Sequence, residues 1–123
     1  MLRMVELDRE VSLMEQMTGH ESPVVLANVF RVAPEDADAL VAAWSTDAGI
    51  LKAKPGYVSA QLHRGIAGSS TFLNYAVWES VDAFKSAFTD PAFQATFERY
   101  PDSTTASPHL FKRIWVPGIS EGK

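Results

Sequence analysis

The sequence predicts one domain of the α+β class, with an antiparallel sheet covered by helices on one face. Three observations predict it. Apolar and β-branched residues fall into four strand-length blocks, the stretches after the first and third blocks carry apolar residues at a period of 3.6, and Gly or Pro punctuates the joints between them. A chain of 123 residues is the size of one domain.

Taken in order, residues 1–22 stand apart as an N-terminal arm that holds all four methionines. Leu7, Val11 and Met14 have helical spacing, and Gly19, Ser22 and Pro23 end that pattern. The arm is expected either to attach loosely or to pack on a partner subunit. The domain proper is expected over 23–118. Val24–Val32 reads as a strand covered on both faces. Pro34 suits a first helical turn, with Glu35 and Asp36 at its positive end. Leu40, Val41, Trp44, Ala48 and Leu51 make one stripe, and Lys52, Lys54 and Pro55-Gly56 close the helix. Tyr57–Arg64 and Phe72–Glu79 are strands joined by a loop at Gly65 and Gly68-Ser69-Ser70. Ser80 is an N-cap for a helix lined by Val81, Phe84 and Phe88. Asp90-Pro91 starts another, lined by Phe93, Phe97 and Tyr100. Pro101 to Pro108 reads as a polar loop, His109–Val116 as the last strand, and 119–123 as a polar tail. The order β-α-β-β-α-(α)-β is the split βαβ, ferredoxin-like pattern, with a four-stranded antiparallel sheet. Such a sheet leaves one face bare, and here Val24–Phe30 and Phe72–Trp78 are apolar at both parities. A large exposed apolar face is unusual in a monomer. The expectation is a homodimer in which two sheets meet face to face as a dimeric α+β barrel.

Composition narrows the function. A formal charge of −4 argues against a nucleic-acid surface. The absence of cysteine excludes disulfides, thiolate metal sites and a cysteine nucleophile, and suits a reducing compartment, so a cytoplasmic location is expected. No apolar run reaches the ~18 residues of a membrane span, and Glu6, Asp8 and Glu10 interrupt anything like a signal peptide. His20, His63 and His109 lack metal-ligand spacing, so no metal is expected. There is no nucleophile elbow and no phosphate-binding glycine loop.

What remains is a set of polar residues inside apolar strands. Asn28 interrupts the first, Gln61 and His63 share a face of the second, and Asn74 and Trp78 lie four apart on the third, on one face. A buried asparagine needs hydrogen-bond partners, so these either bond a neighbouring loop within a plain core or await a ligand.

The run Asn74-Tyr75-Ala76-Val77-Trp78-Glu79-Ser80 followed by Ala83-Phe84 resembles the antibiotic biosynthesis monooxygenase family. So do Leu26-Ala27-Asn28-Val29-Phe30, Pro55-Gly56-Tyr57-Val58-Ser59-Ala60 and Pro108-His109-Leu110-Phe111. The likeness implies the dimeric ferredoxin-like barrel. It also implies a quinone-forming monooxygenase that oxidises a phenolic or polycyclic aromatic of the anthrone type with O2, without metal, flavin or haem. On this resemblance Asn74 and Trp78 line the pocket and bind substrate oxygens as catalytic residues. Asn28, Trp44, Phe84, Phe88 and Phe97 form the expected substrate-binding wall. Phe84 falls where the quinone-forming enzymes carry a tyrosine, so another group must move protons, and His63 is the expected candidate. Haem-degrading relatives use an Asn, a Trp and an iron-ligating His. Asn28 matches the first, but Ala87 and Phe97 fall at the other two positions, which argues against haem. A non-catalytic module that binds small aromatics is the alternative, and a subunit that mainly assembles with other proteins is a third reading, supported by the arm alone.

Overall fold

The computed structural model describes residues 1–120; the end of the expected tail, 121–123, lies outside the described residues. Its elements in chain order are β1 (Arg3–Met4), α1 (Leu13–Gln16), β2 (Val24–Arg31), α2 (Ala37–Leu51, after a 3-10 turn at Pro34–Asp36), β3 (Tyr57–Arg64), β4 (Thr71–Trp78), α3 (Val81–Phe88), α4 (Pro91–Gln94) and β5 (Thr105–Phe111). The class and the ferredoxin-like order are as expected, but the sheet has five strands rather than four, ordered β1-β5-β2-β4-β3. The four long strands are antiparallel, and β1 adds a short parallel edge to β5.

The arm packs against its own chain. Leu2 N–H bonds the Phe97 carbonyl at 3.1 Å and Val5 N–H bonds that of Ala106 at 2.8 Å. Leu2, Leu13 and Met17 are buried, whereas Leu7, Val11 and Met14 of the expected helical stripe are exposed. The helix that does form is the one-turn α1, fixed by a capping box between Ser12 and Glu15. It brings Gln16 to the β5 edge. There the Gln16 amide accepts the Leu110 N–H and donates to the Leu110 carbonyl, both at 2.9 Å, as a neighbouring strand would.

The last strand is Thr105–Phe111, not His109–Val116. Its register explains the shift. Thr105 opposes Arg31 and Phe111 opposes Val25, so beyond Phe111 only Val24 of β2 remains to pair. The expected loop around Thr104 and Ser107 is buried, although its sequence is polar.

One face of the sheet carries the core. Leu26, Asn28 and Phe30 of β2 and Phe72, Asn74, Ala76 and Trp78 of β4 point toward the helices, as their cross-strand pairing requires. The buried residues separate into two clusters. One centres on Phe30, Leu40, Phe72 and Tyr100, the other on Leu26, Trp78, Val81 and Phe84, and Leu51 and Phe88 touch both. The cross-strand pair Asn28 and Asn74 stands between them on the sheet. At Gly56, φ is +87°, and a Cβ there would collide with that of Ala83, so the turn into β3 requires glycine where α3 passes. The opposite face holds the half-buried Val25, Val29, Leu73 and Val77 and the exposed Tyr75 and Phe111. Among the described residues, no helix is long and apolar enough to cross a membrane.

Candidate functional site

A small cavity lies between the sheet and the helices where the two core clusters part. Its floor is Leu26, Asn28, Ala60, Asn74, Ala76 and Trp78; α2 contributes Trp44, Asp47 and Leu51, while Phe84, Phe88 and Phe93 close the far side. Its volume is about 40 Å³, against the roughly 300 Å³ or more of a typical small-molecule site.

The polar groups at this cavity are not matched to one another. Asn28 and Asn74 are direct cross-strand partners. The side-chain oxygens of both, and the indole Nε1 of Trp78, are buried with no hydrogen-bond partner among the described residues. Trp78 is 1% exposed and Asn74 7%. An unsatisfied buried amide or indole N–H costs on the order of 1–3 kcal/mol, and these three groups all border one cavity.

Aromatic packing fixes the indole. A β-bulge between Tyr57 and Ser59 turns Tyr57 to the Trp78 face, where its ring meets Trp78 edge-on at 5.6 Å. Phe84 meets Trp78 from the other side at 6.0 Å and stacks on Phe88 at 5.3 Å.

Of the residues expected at the site, Asn28, Trp44, Asn74, Trp78, Phe84 and Phe88 come together. Two do not. His63 opposes Leu73, so it projects from the opposite face of the sheet, exposed, with Nδ1 3.3 Å from the Leu73 carbonyl. Strand alternation puts it there: its neighbour Leu62, opposite Asn74, is the one on the helix side. Phe97 sits one layer out, against Phe88 and Phe93 at 6.2 and 5.2 Å, and its other side meets the arm beside Leu13 and Met17.

Asp47 lines the cavity and was missed in the sequence. It is 6% exposed. Its Oδ2 accepts a hydrogen bond from the Tyr100 hydroxyl, while Oδ1 is buried without a partner. Burial pushes its carboxyl up from the ordinary value; Thr96, Tyr100 and the Arg99 charge pull the other way without cancelling it. Burial, then the neighbouring Asp47, push the Tyr100 phenol up as well. The signal was phase: Asp47 falls three residues after Trp44 and four before Leu51, inside the buried stripe of α2. Among the described residues, no three His, Asp or Glu side chains gather as a metal-binding group.

The sequence profile of the family described as antibiotic biosynthesis monooxygenase matches residues 23–99. An uncharacterised protein of Synechocystis sp. is 28% identical over 91 residues, 74% of this chain, and the chain spans 62% of that relative's length. Among solved structures, SnoaB, a cofactor-independent oxygenase from Streptomyces nogalater, aligns with a TM-score of 0.67 at 24% identity, over 80% of this chain and 99% of that one. A candidate monooxygenase from Shewanella loihica aligns with a TM-score of 0.67 at 28% identity, over 77% of this chain and 97% of that one. The likeness to SnoaB shows the shared fold, whereas the family profile spans β2 through α4 and so takes in all the cavity-lining side chains named above. With more than half of its length matched in this way, the chain belongs to the antibiotic biosynthesis monooxygenase family.

Proposed function

We propose that the protein is a cofactor-independent monooxygenase that converts the activated CH2 of a phenolic or polycyclic aromatic, of the anthrone type, to a carbonyl with O2. The observation that carries this reading is the trio of unpaired polar groups, on Asn28, Asn74 and Trp78, at an otherwise largely apolar cavity. Loss of one proton turns the substrate into an electron-rich oxyanion. Donors held in a dry site stabilise that charge as it develops. The Trp78 Nε1–H, unpaired in the fold, is such a donor, and the Asn28 and Asn74 amides carry Nδ2–H donors beside their unpaired oxygens. The anion reduces O2 and forms a C–O bond as a peroxide; protonation and O–O cleavage then leave C=O and release one water. Overall, CH2 and O2 become C=O and H2O.

The expected assembly is a homodimer through the open sheet face, where Val25, Val29, Leu73 and Val77 would be covered. Phe84 carries no hydroxyl at the cavity wall, and this favours one rival reading, a module that binds aromatics without turning them over.

The test is O2 uptake by chelator-treated protein with anthrone. Uptake without added cofactor is expected, with kcat lowered roughly 10²-fold in Asn74→Ala. A strict need for flavin or metal, or an unchanged rate in Asn74→Ala, overturns the proposal. Saturable binding without uptake establishes the rival.

A further inference from the structure

We propose that Asp47 is the group that takes the substrate's proton, and that Tyr100 is the positioning residue that aims it. The assignment deepens the oxygenase reading and rests on it for the steps after deprotonation. It starts from a gap: oxyanion donors stabilise the product of proton loss, but none of Asn28, Asn74 or Trp78 can accept a proton from carbon. His63, the candidate from the sequence, lies on the other face of the sheet. Among the described residues, Asp47 is the one carboxylate that lines the cavity, and no basic side chain lines it.

The geometry suits the task. The carboxylate has two oxygens in different circumstances. Oδ2 is held by the Tyr100 hydroxyl, and Oδ1 is buried without a partner. Tyr100 is itself fixed, since its ring stacks on Phe30 at 5.8 Å. The Thr96 hydroxyl also lies close enough to the carboxylate to lower its pKa, but its proton goes to the Phe93 carbonyl at 2.6 Å. A carboxylate anchored through one oxygen leaves the other free for a substrate proton. Burial also strengthens the base. By raising the carboxyl's affinity for a proton, it narrows the gap to a weakly acidic C–H, while the donors across the cavity lower the acidity barrier from the substrate side. The proton passes from the CH2 carbon to Oδ1, leaving the electron pair delocalised onto the substrate oxygen. The resulting carboxylic acid then returns it to the outer peroxide oxygen once O2 has added. Asp47 next takes the second C–H proton as the O–O bond breaks, and the departing hydroxide carries that proton away as water.

The experiment isolates proton transfer from oxygen chemistry. Anthrone is incubated with the protein under argon in D2O, and NMR follows deuterium entering its CH2, with the spontaneous rate subtracted; a parallel aerobic run follows O2 uptake. The expected result is protein-accelerated exchange that falls roughly 10²-fold in Asp47→Asn. Tyr100→Phe should keep exchange but move its rising limb to higher pH. The lost hydrogen bond favoured the charged carboxylate, so its removal raises the carboxyl further. The other charged group facing Asp47 is Arg99, which stays in place; Tyr57 is the further titratable group on the cavity wall, and the sheet offers only the Asn28 and Asn74 amides. Undiminished exchange in a folded Asp47→Asn protein overturns the assignment and leaves the oxygenase reading standing. If Asp47→Asn does not fold, a Tyr100→Phe profile that stays where it was overturns it instead. Exchange that depends on Asp47 without any O2 uptake supports the assignment and removes the oxygenase reading. No exchange by the unaltered protein overturns the assignment, and the aerobic run then says whether the oxygenase reading falls with it.

Discussion

Replacing Asn74 by leucine should make this protein more stable and less active at once. Asn74 is buried on the cavity floor with its carbonyl oxygen unpartnered. Leaving such an oxygen unsatisfied costs about 1–3 kcal/mol. Leucine removes that cost, and the adjoining cavity of about 40 Å³ can take its slightly larger side chain without overpacking. The net gain is expected at about 1–2 kcal/mol. For a domain of this length a kcal/mol shifts Tm by roughly 3–6 °C, so a rise of roughly 3–12 °C follows. The assay is a pair of thermal melts at equal protomer concentration, because dissociation of any assembly would move the midpoint. Turnover on the same samples should drop. A loss of stability of about 1 kcal/mol or more would refute the reasoning: it would mean that the folded protein satisfies the amide, and that Asn74 is a structural residue rather than one held ready for a ligand.

Gln16→Ala should cost about 1–3 kcal/mol, because it removes both hydrogen bonds to Leu110 at the β5 edge; urea unfolding would measure this, and no change would mean that water replaces the side chain without loss. The Asp47 carboxyl is raised in the folded protein by burial, so the folded state holds that proton more tightly than the unfolded chain does. Its contribution to stability is therefore favourable at low pH and is lost as pH rises from the unfolded carboxylate value of about 3.9 through the raised folded value. The Tm difference between Asp47→Asn and the unaltered protein should be small near the bottom of that window and grow in favour of the variant above it. A difference that does not change with pH would contradict the buried, ionised carboxylate. Asp90, held low by the Lys54 ammonium, and Asp102, held low by the N-terminus, act with the opposite sign, but they are common to both proteins and cancel in the comparison.

Much of this fold is legible because its signals are local. The α2 helix, the Pro55-Gly56 stop and the Ser80 cap each act within a few residues and lie where the pattern puts them, although Val41 of the expected α2 stripe is exposed. The misses share a cause, which is that distant chain decides them. Arg3–Met4 is a strand only because Thr105 and Ala106 lie beside it, and no propensity in two residues announces a parallel pairing across the whole chain. Thr104 and Ser107 read as loop because they are polar, yet the fold buries them. At the site, the family-like Asn74 and Trp78 reach one cavity because alternation along β4 guarantees a common face. The same alternation removes His63, and one residue of register decides it. Asp47 was hidden by its type: an acid on a helix reads as solvated until the helical phase is counted.

The tightness of the cavity carries a kinetic consequence. If the protein takes a fused-ring compound, a cavity of about 40 Å³ must widen first, and the Phe84–Phe88 stack or the Trp44 ring on its wall would have to swing aside. Capture would then have two stages, a gating motion and a docking, and its rate should level off at high ligand concentration at the speed of the gate. Apparent affinity is lowered by the small fraction of molecules with the gate ajar, so a smaller residue at the gate would tighten binding by making the receptive form commoner, with no new contact to the ligand.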